Sequence, residues 1–595
     1  MTNLMTLTPT ILKQMAREDL PALSADIRQF LIASVSQTGG HIGAALGVVE
    51  LTIALHHVFD SSQDKIIFDT GHQGYTHRIL TGRANQFPTL NTFGGMSRFL
   101  DRADSPHDHL SASHAGTAIS TAVGIAQAME MAGDLHRIVA VVGDGTLGEG
   151  LTWEGLNYLG GTKLPILVVL NDNQMSIPPT VGGIAYMLKG HERPGHWFAG
   201  LGIQYHRIDD GHDLVALIEF CTDYHQSYWQ YGPTVLHIKT EKGRGLPCAA
   251  SHPFKMHFSM PFDPATGAGA SPTIAGRTYA TVAAETLHTV MAEDETIVVL
   301  TPGTPYASAL DQLLACYPSR VLDVGMAEQH AVSMAAGLAL GGRKPVVCVQ
   351  STFLQRAYDQ VLHDVSFLNL PVTFLVVRSG FAGYDSPTHH GLWDIPVLRS
   401  FPNMQIHYAM DTQDLQATLT ARLGHPQGPL ALLMPYEPVL EPEPEIAVRY
   451  DGYGMLGTSR HGTIVCLGNT FALAREVCAQ LQEDHAIDFG ILLCAKLKPF
   501  RAFQGLAKEV QDGSIRPEHP SHIVTIEEGI LAGGLGSLVA EAFLDAGAPV
   551  SLLRFGVGDC FVPAGSKQEC AQALWLDVET IVAAIINRWS EEGRA

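Results

Sequence analysis

The amino-acid sequence predicts an α/β protein of three doubly wound domains, each built on a parallel or mixed sheet. Short β-branched runs that end in glycine or a polar residue alternate with segments whose apolar residues recur at helical spacing. This alternation is typical of strand–helix–strand units. Two proline-rich stretches, residues 260–276 and 436–450, interrupt it. They predict domains at residues 1–260, 277–435 and 451–595.

Composition narrows the class of protein. The chain has 595 residues, of which 46% are hydrophobic and 16% charged, as expected of an enzyme with several cores. A net charge of −22 without a basic stripe gives no support to a nucleic-acid partner. The nine cysteines form no CxxC pair, which favours reduced core thiols. With no signal-peptide pattern and no apolar run long enough to span a bilayer, we expect a cytoplasmic enzyme that does not bind membranes.

The stretch from Arg137 to Ser176 contains the clearest unit of this kind. One β-branched run, 138–142, ends in Gly-Asp-Gly, and a second, 165–170, ends in Asn-Asp-Asn, with an apolar helical pattern between them. Because the carboxyl ends of parallel strands meet at one edge of a sheet, Asp144 and Asn173 should lie there together. Oxygen donors of this kind suit Mg²⁺ bound to phosphate. A strand-ending turn would also explain the first motif, but not the matching second one.

Gly-Asp-Gly followed about thirty residues later by an asparagine motif resembles the metal–diphosphate signature of thiamine-diphosphate enzymes. This resemblance implies that Asp144, the Asn173 side chain and the Met175 carbonyl bind Mg²⁺.

Three histidine-bearing loops precede this unit: GGHIG with His41, TGHQG with His72, and SASHAG with His114. Together with GDG and LNDNQMSI, these motifs resemble the 1-deoxyxylulose-5-phosphate synthase family over nearly the whole chain. The resemblance implies transketolase-type diphosphate-binding, pyrimidine-binding and carboxyl-terminal domains, with thiamine diphosphate between the first two. His41 and His257 would handle protons near the substrate. The residues implied to hold the cofactor in the first domain are His72, Ser113, His114, Ala115, Gly145, Thr146, Asn173 and Lys242.

In the second domain, Glu328 lies in the motif DVGMAEQH, where a predicted strand gives way to a helix. A carboxylate there is often only a solvated helix cap. Thiamine diphosphate, however, needs one carboxylate against N1′ of its aminopyrimidine, because protonation at N1′ enables the 4′-imino group to deprotonate C2. The resemblance assigns Glu328 to this catalytic role.

The motif STFLQRAYDQ, residues 351–360, nearly matches the corresponding family motif. It implies that Phe353 packs on the pyrimidine ring, although plain core packing would also explain this residue. A long loop follows, which is a common location for catalytic groups. The resemblance assigns His389 to catalysis, and Arg356, Arg378, Asp385 and Tyr436 to substrate binding.

The chain departs from the family in several places. After Asp144 it reads GTLGEGL, which is more similar to transketolase itself. Leu246 replaces a tyrosine, and the segment between Val181 and Gly195 is much shorter than in the family. Tyr436 replaces the arginine of a Tyr-Pro-Arg-Gly turn that helps to bind the aldehyde's phosphate.

The predicted function is a thiamine-diphosphate-dependent transferase, acting as a homodimer in isoprenoid and thiamine biosynthesis. It would decarboxylate pyruvate and join the two-carbon unit to D-glyceraldehyde 3-phosphate, giving 1-deoxy-D-xylulose 5-phosphate. Carboligation to a different or unphosphorylated aldehyde, and transketolase-type ketol transfer, remain alternatives. An inactive paralogue and an acyl-transferring dehydrogenase component are alternatives of another class.

Overall fold

The computed structural model describes residues 3–111, 113–269, 276–384, 386–443, 446–450, 452–457, 459–500, 522–548 and 550–591. The chain divides into two compact units. Unit 1 comprises residues 1–272 and 324–327, and unit 2 comprises residues 273–323 and 328–595. Within the described ranges, no helix is both long and apolar enough to cross a membrane. The three predicted domain ranges stay a prediction.

Unit 1 is built on a five-stranded, fully parallel sheet with the order β1-β2-β3-β5-β4. Its strands are β1 (Lys65–Phe68), β2 (Ile138–Gly143), β3 (Ile166–Asp172), β4 (Gln204–Ile208) and β5 (Thr234–Lys239). Its α-helices are Pro9–Gln14, Leu20–Thr38, Ile42–Leu46, Val49–Val58, Tyr75–Leu80, Ala118–Ala132, Gly150–Gly160, Gly182–Lys189, Arg193–Gly200, Leu214–Gln226 and Pro247–Ser251.

Alternate residues of β2 and β3 enter two different hydrophobic clusters. Val139 and Val141 pack into one cluster, whereas Ile138, Ala140 and Val142 pack into the other. Since successive side chains of a strand point to opposite faces, both faces of this sheet are covered. This explains why the strands are continuous apolar runs in the sequence.

The strand–helix–strand unit predicted from residues 137–176 is confirmed, because β2 and β3 are adjacent and parallel. Its helix begins at Gly150, later than the apolar spacing suggested. Residues Asp144–Gly148 instead form a short 3₁₀ turn directly after β2, which keeps Asp144 close to the end of the strand.

Unit 2 contains two sheets. Its strands are β6 (Ile297–Thr301), β7 (Val321–Asp323), β8 (Lys344–Gln350), β9 (Thr373–Ser379), β10 (Gln405–Tyr408), β11 (Leu430–Pro435), β12 (Ala447–Tyr450), β13 (Tyr453–Leu456), β14 (Gly462–Cys466), β15 (Phe489–Cys494), β16 (Lys496–Lys498), β17 (His522–Ile530) and β18 (Ser551–Val557). Its α-helices are Tyr279–Glu293, Asp311–Cys316, Glu328–Leu340, Ser351–Leu354, Tyr358–Gln360, Asp394–Ser400, Thr412–Gly424, Phe471–His485, Leu535–Asp545, Lys567–Ala573 and Val578–Glu591.

The two sheets of unit 2 are mixed. The seven-stranded sheet has the order β16-β10-β11-β9-β8-β6-β7, and β16 is its antiparallel strand. The six-stranded sheet has the order β12-β13-β15-β14-β17-β18, with β12 and β13 antiparallel to their neighbours. The α/β class with doubly wound parallel and mixed sheets is therefore confirmed. The predicted linker 436–450 is wrong for its last four residues, which form β12.

Candidate active-site residues

Asp144 lies at the carboxyl edge of the sheet of unit 1. It follows β2 and is 1% exposed. Its Oδ2 accepts a hydrogen bond of 2.5 Å from Thr180 Oγ1, whereas its buried Oδ1 has no hydrogen-bond partner among the described residues. Burial raises the pKa of this carboxyl to about 6. A buried carboxylate oxygen without a partner is costly, and a bound cation would remove that cost.

The loop after β3 places the other predicted metal ligands beside this edge. Asn173 Oδ1 accepts a hydrogen bond of 3.1 Å from the Met175 N–H, and Met175 forms an isolated bridge with Pro179. Lys242 Nζ donates to the Ser176 carbonyl at 2.6 Å. An amide and a main-chain carbonyl on one loop, with the unpartnered Asp144 oxygen, fit the oxygen-donor chemistry of Mg²⁺.

Gly145 and Lys242 lie against the same loop. A Cβ atom on Gly145 would collide with Ser176, so this position admits only glycine. Burial lowers the pKa of Lys242 to about 7, and the Asp144 carboxylate acts in the opposite direction. Both predicted cofactor-binding residues are thus placed beside the Asp144 edge, and their role stays a prediction.

Three of the predicted histidines form a cluster in unit 1. The ring centroids of His41 and His72 are 5.6 Å apart, those of His41 and His257 are 5.4 Å apart, and those of His72 and His257 are 5.2 Å apart. The Nδ1 atoms of His72 and His257 have no hydrogen-bond partner in the described part of the chain. Burial, with nearby Lys242, lowers the pKa of His72 to about 3 and the pKa of His257 well below its usual value. A lowered pKa favours the neutral imidazole, which can both donate and accept a hydrogen bond to a substrate.

Close main-chain packing holds His41 and His257 together. The Gly43 N–H donates to the Met256 carbonyl at 2.8 Å, and the Gly243 N–H donates to the Gly43 carbonyl at 2.8 Å. A Cβ atom on Gly43 would collide with the Lys255 carbonyl oxygen. The glycine after His41 in the motif is therefore required by the approach of a second loop, which sequence spacing alone does not reveal.

Gly43→Ala should lower the melting temperature by several degrees and reduce activity, because the added methyl group displaces the loop that carries His257. Overpacking of this kind costs about 1–3 kcal/mol. Gly124→Ala is the matched control, since nothing lies within 4 Å of a Cβ there. Thermal unfolding of both variants tests this expectation, and equal melting temperatures would contradict it.

The SASHAG loop leads into the helix Ala118–Ala132. The Asp69 carboxylate accepts hydrogen bonds from the N–H groups of Gly116, Thr117 and Ala118, at 3.0, 3.1 and 3.1 Å. It also accepts one of 2.8 Å from Thr146 Oγ1. The Thr146 side chain is thus engaged with Asp69, which leaves its main chain for the predicted cofactor contact. The other predicted residues here are Ser113, which is buried, and His114 and Ala115, which are half-buried.

Glu328 begins the helix Glu328–Leu340 of unit 2 and is 5% exposed. Its Oε2 lies 3.3 Å from Arg356 Nε. Burial raises the pKa of the Glu328 carboxyl, and the Arg356 guanidinium opposes this effect. Arg356, which was predicted to bind substrate, is therefore placed against Glu328, and its substrate role stays a prediction.

Phe353 and His389 contact each other edge-to-face, with ring centroids 5.5 Å apart and an interplanar angle of 83°. His389 is buried and Phe353 is half-buried. Asp385 lies outside the described residues, so no position is assigned to it.

Arg378 and Tyr436 are brought together because β9 and β11 are adjacent, with Val377 opposite Met434. The Arg378 guanidinium carbon lies 4.2 Å from the centroid of the Tyr436 ring. Its Nη2 donates to Tyr436 Oη at 3.4 Å. The tyrosine thus covers one face of the guanidinium.

Two hydrogen bonds near the candidate site could not be predicted from the sequence. Thr180 bonds to Asp144 across 36 positions, and the Tyr75 hydroxyl accepts the His41 N–H at 3.1 Å across 34 positions. Thr180 lies in no motif, and Tyr75 directly follows the TGHQG motif, but the sequence does not show that either residue bonds to Asp144 or His41.

Comparison with known proteins shows which class of protein this chain belongs to. Residues 275–439 match the pyrimidine-binding domain of transketolase, and residues 5–193 match the model described as 1-deoxy-D-xylulose-5-phosphate synthase. A solved transketolase from Campylobacter jejuni covers 97% of this chain and 99% of its own, with 16% identity and a TM-score of 0.45. The two family matches, and not this structural likeness, identify the protein as a thiamine-diphosphate enzyme and a transferase of the transketolase type.

Curated relatives refine this class. The chain is 38% identical to 1-deoxy-D-xylulose-5-phosphate synthase 2 of Geobacter sulfurreducens, over 97% of this chain and 98% of the relative. It is 38% identical to the synthase of Symbiobacterium thermophilum, over 96% of this chain and 93% of the relative. The chain belongs to the 1-deoxy-D-xylulose-5-phosphate synthase family, which confirms the predicted resemblance.

Proposed function

We propose that the protein condenses pyruvate with D-glyceraldehyde 3-phosphate, releasing CO₂ and giving 1-deoxy-D-xylulose 5-phosphate. Family membership over nearly the whole chain supports this reaction. The structural observation that carries the proposal is the buried Glu328 carboxyl with its raised pKa. A carboxyl of this kind is what the aminopyrimidine of thiamine diphosphate requires.

When bound, thiamine diphosphate supplies a nucleophilic carbon and accepts the electron pair left by departing CO₂. The Glu328 carboxyl would hold the proton shared with the aminopyrimidine, and burial raises the pKa of this carboxyl. Arg356, 3.3 Å away, fixes the orientation of the carboxyl. Phe353 would pack on the pyrimidine ring.

Mg²⁺ would be held by Asp144, the Asn173 side chain and the Met175 carbonyl. The buried and unpartnered Asp144 Oδ1 supports this assignment. The metal would neutralise the diphosphate, which a chain of net charge −22 cannot do by its overall charge. Lys242, whose Nζ donates to the Ser176 carbonyl of this loop, would lie beside the diphosphate.

His41 and His257 would handle protons at the substrate oxygens. His389 is the third residue that would handle protons. Arg378 and Asp385 would orient the aldehyde, with Arg378 as the cation for its phosphate.

We also propose a homodimeric, cytosolic enzyme. Membership of the family is the reason that we expect a dimer. All nine cysteines are free thiols, which is typical of proteins from a reducing compartment. Sedimentation of the purified protein tests the dimer.

The reaction itself is tested with purified protein, thiamine diphosphate, Mg²⁺ and pyruvate, offered with a panel of phosphorylated and unphosphorylated aldehydes. CO₂ release coupled to a 1-deoxyketose 5-phosphate supports the proposal. Turnover of ketose donors without CO₂ release would instead indicate ketol transfer. Acylation of a lipoyl protein, or no turnover of any substrate, would identify the other two alternatives.

The Arg378–Tyr436 stack favours a second candidate, in which unphosphorylated aldehydes are also accepted. Arginine binds phosphate through two charge-assisted hydrogen bonds, whereas a tyrosine hydroxyl offers one neutral bond. Because Tyr436 stands where the family's Tyr-Pro-Arg-Gly turn has an arginine, one positively charged side chain is missing beside Arg378.

Tyr436→Arg should lower the Michaelis constant for glyceraldehyde 3-phosphate by about ten- to a hundredfold, since a charge-assisted contact is worth roughly 1.5–3 kcal/mol. The constant for an unphosphorylated aldehyde should not improve. Tyr436→Phe is the control, because it keeps the ring over Arg378 and removes only the hydroxyl. Steady-state kinetics with both aldehydes decide the matter. The Michaelis constant for glyceraldehyde 3-phosphate could already be micromolar in the parent enzyme and stay unchanged in Tyr436→Arg. That result would show that Tyr436 does not limit phosphate binding.

A further inference from the structure

Three charged side chains of unit 2, Glu437, Glu528 and Lys567, form a cluster that is called the ion triad below. Lys567 Nζ lies 2.6 Å from Glu437 Oε2 and 2.8 Å from Glu528 Oε1. The same ammonium group donates to the Asn469 carbonyl at 3.1 Å. The Glu437 and Glu528 side chains are 19% and 6% exposed, so both carboxylates are largely removed from water.

The ion triad connects two chain segments that carry predicted substrate residues. Glu437 directly follows Tyr436. Glu528 Oε2 accepts the Phe381 N–H at 3.1 Å, three positions after Arg378. The packing there is close, since a Cβ atom on Gly380 would lie 2.6 Å from Glu528 Oε2. Lys567 thus links the segment of Tyr436 to the segment of Arg378.

Arg378 needs such support because its backbone is strained. Its φ angle is 63°, in the left-handed region that a bulky residue adopts only when its surroundings enforce it. Three contacts hold the residues that follow. Ser379 Oγ donates to Asp394 at 2.8 Å, Gly380 exchanges two main-chain hydrogen bonds of 2.8 Å with Gly391, and the Phe381 N–H bonds to Glu528.

The charges of the ion triad depend on Lys567. Burial acts to lower the pKa of this ammonium, but the carboxylates of Glu528 and Glu437 outweigh it and raise the pKa. Burial and the nearby Glu528 raise the pKa of Glu437, and Lys567 opposes both. Without Lys567, two poorly hydrated carboxylates would face each other and move apart or take up a proton. Either response would displace Tyr436 or the strained Arg378 segment.

We propose that Lys567 is a positioning residue for the acceptor aldehyde, acting through Glu437 and Glu528 to fix Tyr436 and Arg378. This inference rests on the proposed function, and it gives the C-terminal part of the chain a role in acceptor recognition. The ion triad acts on groups predicted to bind the acceptor, so we expect the Michaelis constant for pyruvate to change little when Lys567 is replaced.

The test compares two Michaelis constants in the holoenzyme: that for pyruvate at saturating glyceraldehyde 3-phosphate, and that for glyceraldehyde 3-phosphate at saturating pyruvate. Lys567→Met should raise the constant for the aldehyde about tenfold, as expected from displaced binding groups, and leave the constant for pyruvate within about twofold of the parent. Lys567→Arg should recover most of the loss. Gln568→Met, at the exposed next position of the same helix, is the control and should match the parent.

Equal increases in the Michaelis constants for pyruvate and for the aldehyde in Lys567→Met would overturn the proposal, since they indicate a general structural role. If Lys567→Met does not fold, Glu437→Gln serves as the second variant, because it keeps the contact between Lys567 and Glu528. It should show the same split with a smaller amplitude, and no split would overturn the proposal. Failure of the proposed function is distinguishable, because the parent enzyme itself would then show no turnover of pyruvate with any aldehyde.

Discussion

Asp144→Ala should abolish binding of thiamine diphosphate in the presence of Mg²⁺. The substitution removes the buried carboxylate whose Oδ1 has no hydrogen-bond partner among the described residues. Without that ligand, the negative diphosphate would meet the protein without its bridging cation. Isothermal titration calorimetry with the cofactor and Mg²⁺ measures the effect directly, and it does not depend on turnover.

Asp144→Asn should retain weak binding, because the amide keeps an oxygen donor and loses only the charge. Asp223→Ala is the control at an exposed helical position of the same unit. Cofactor affinity in Asp144→Ala equal to that of the parent would remove Asp144 from the proposed metal site.

Glu328→Gln should keep cofactor binding and lower turnover by about 10²-fold or more, in the range expected for loss of a general acid–base group. Glutamine has a similar shape but cannot hold the proton that the aminopyrimidine requires. The expected pattern is therefore a large fall in kcat with an almost unchanged dissociation constant for thiamine diphosphate. Steady-state kinetics and calorimetry on one preparation separate these two quantities.

Glu293→Gln, at the exposed end of the helix Tyr279–Glu293, removes a carboxylate without touching a candidate site. Its turnover should equal that of the parent. Turnover of Glu328→Gln within a few-fold of the parent would falsify the catalytic role of Glu328.

Much of the fold could be predicted from the sequence because it follows from local patterns. Buried parallel strands are continuous apolar runs, and those at 138–142 and 165–170 became β2 and β3. Asp144 and Asn173 follow adjacent strands as expected, because strand order placed both at one edge. Motifs singled out the loops of His41, His72 and His114, but they did not show that His41 and His72 lie against His257.

The rest could not be predicted because it depends on contacts between distant residues. The ion triad joins Glu437 to Lys567 across 130 positions, and neither Glu528 nor Lys567 lies in a motif. The antiparallel strands β12 and β13 come from a proline-rich stretch and its continuation, where strand propensity is weak. The contact between Glu328 and Arg356 could not be predicted either, because it depends on how two helical segments pack against each other.

The pairing of strand β16 with β10 limits where the chain can be divided into fragments for expression. It is contributed by residues 496–498, yet it completes the edge of the seven-stranded sheet beside β10. Its pairing partner Ile406 is buried. A fragment ending at residue 435 would leave β10 with unpaired main-chain groups beside an apolar side chain, which is the kind of edge that promotes self-association. Expression boundaries that retain residues up to 500 keep this edge covered, so the sheet cannot be isolated at the boundary that sequence composition suggests.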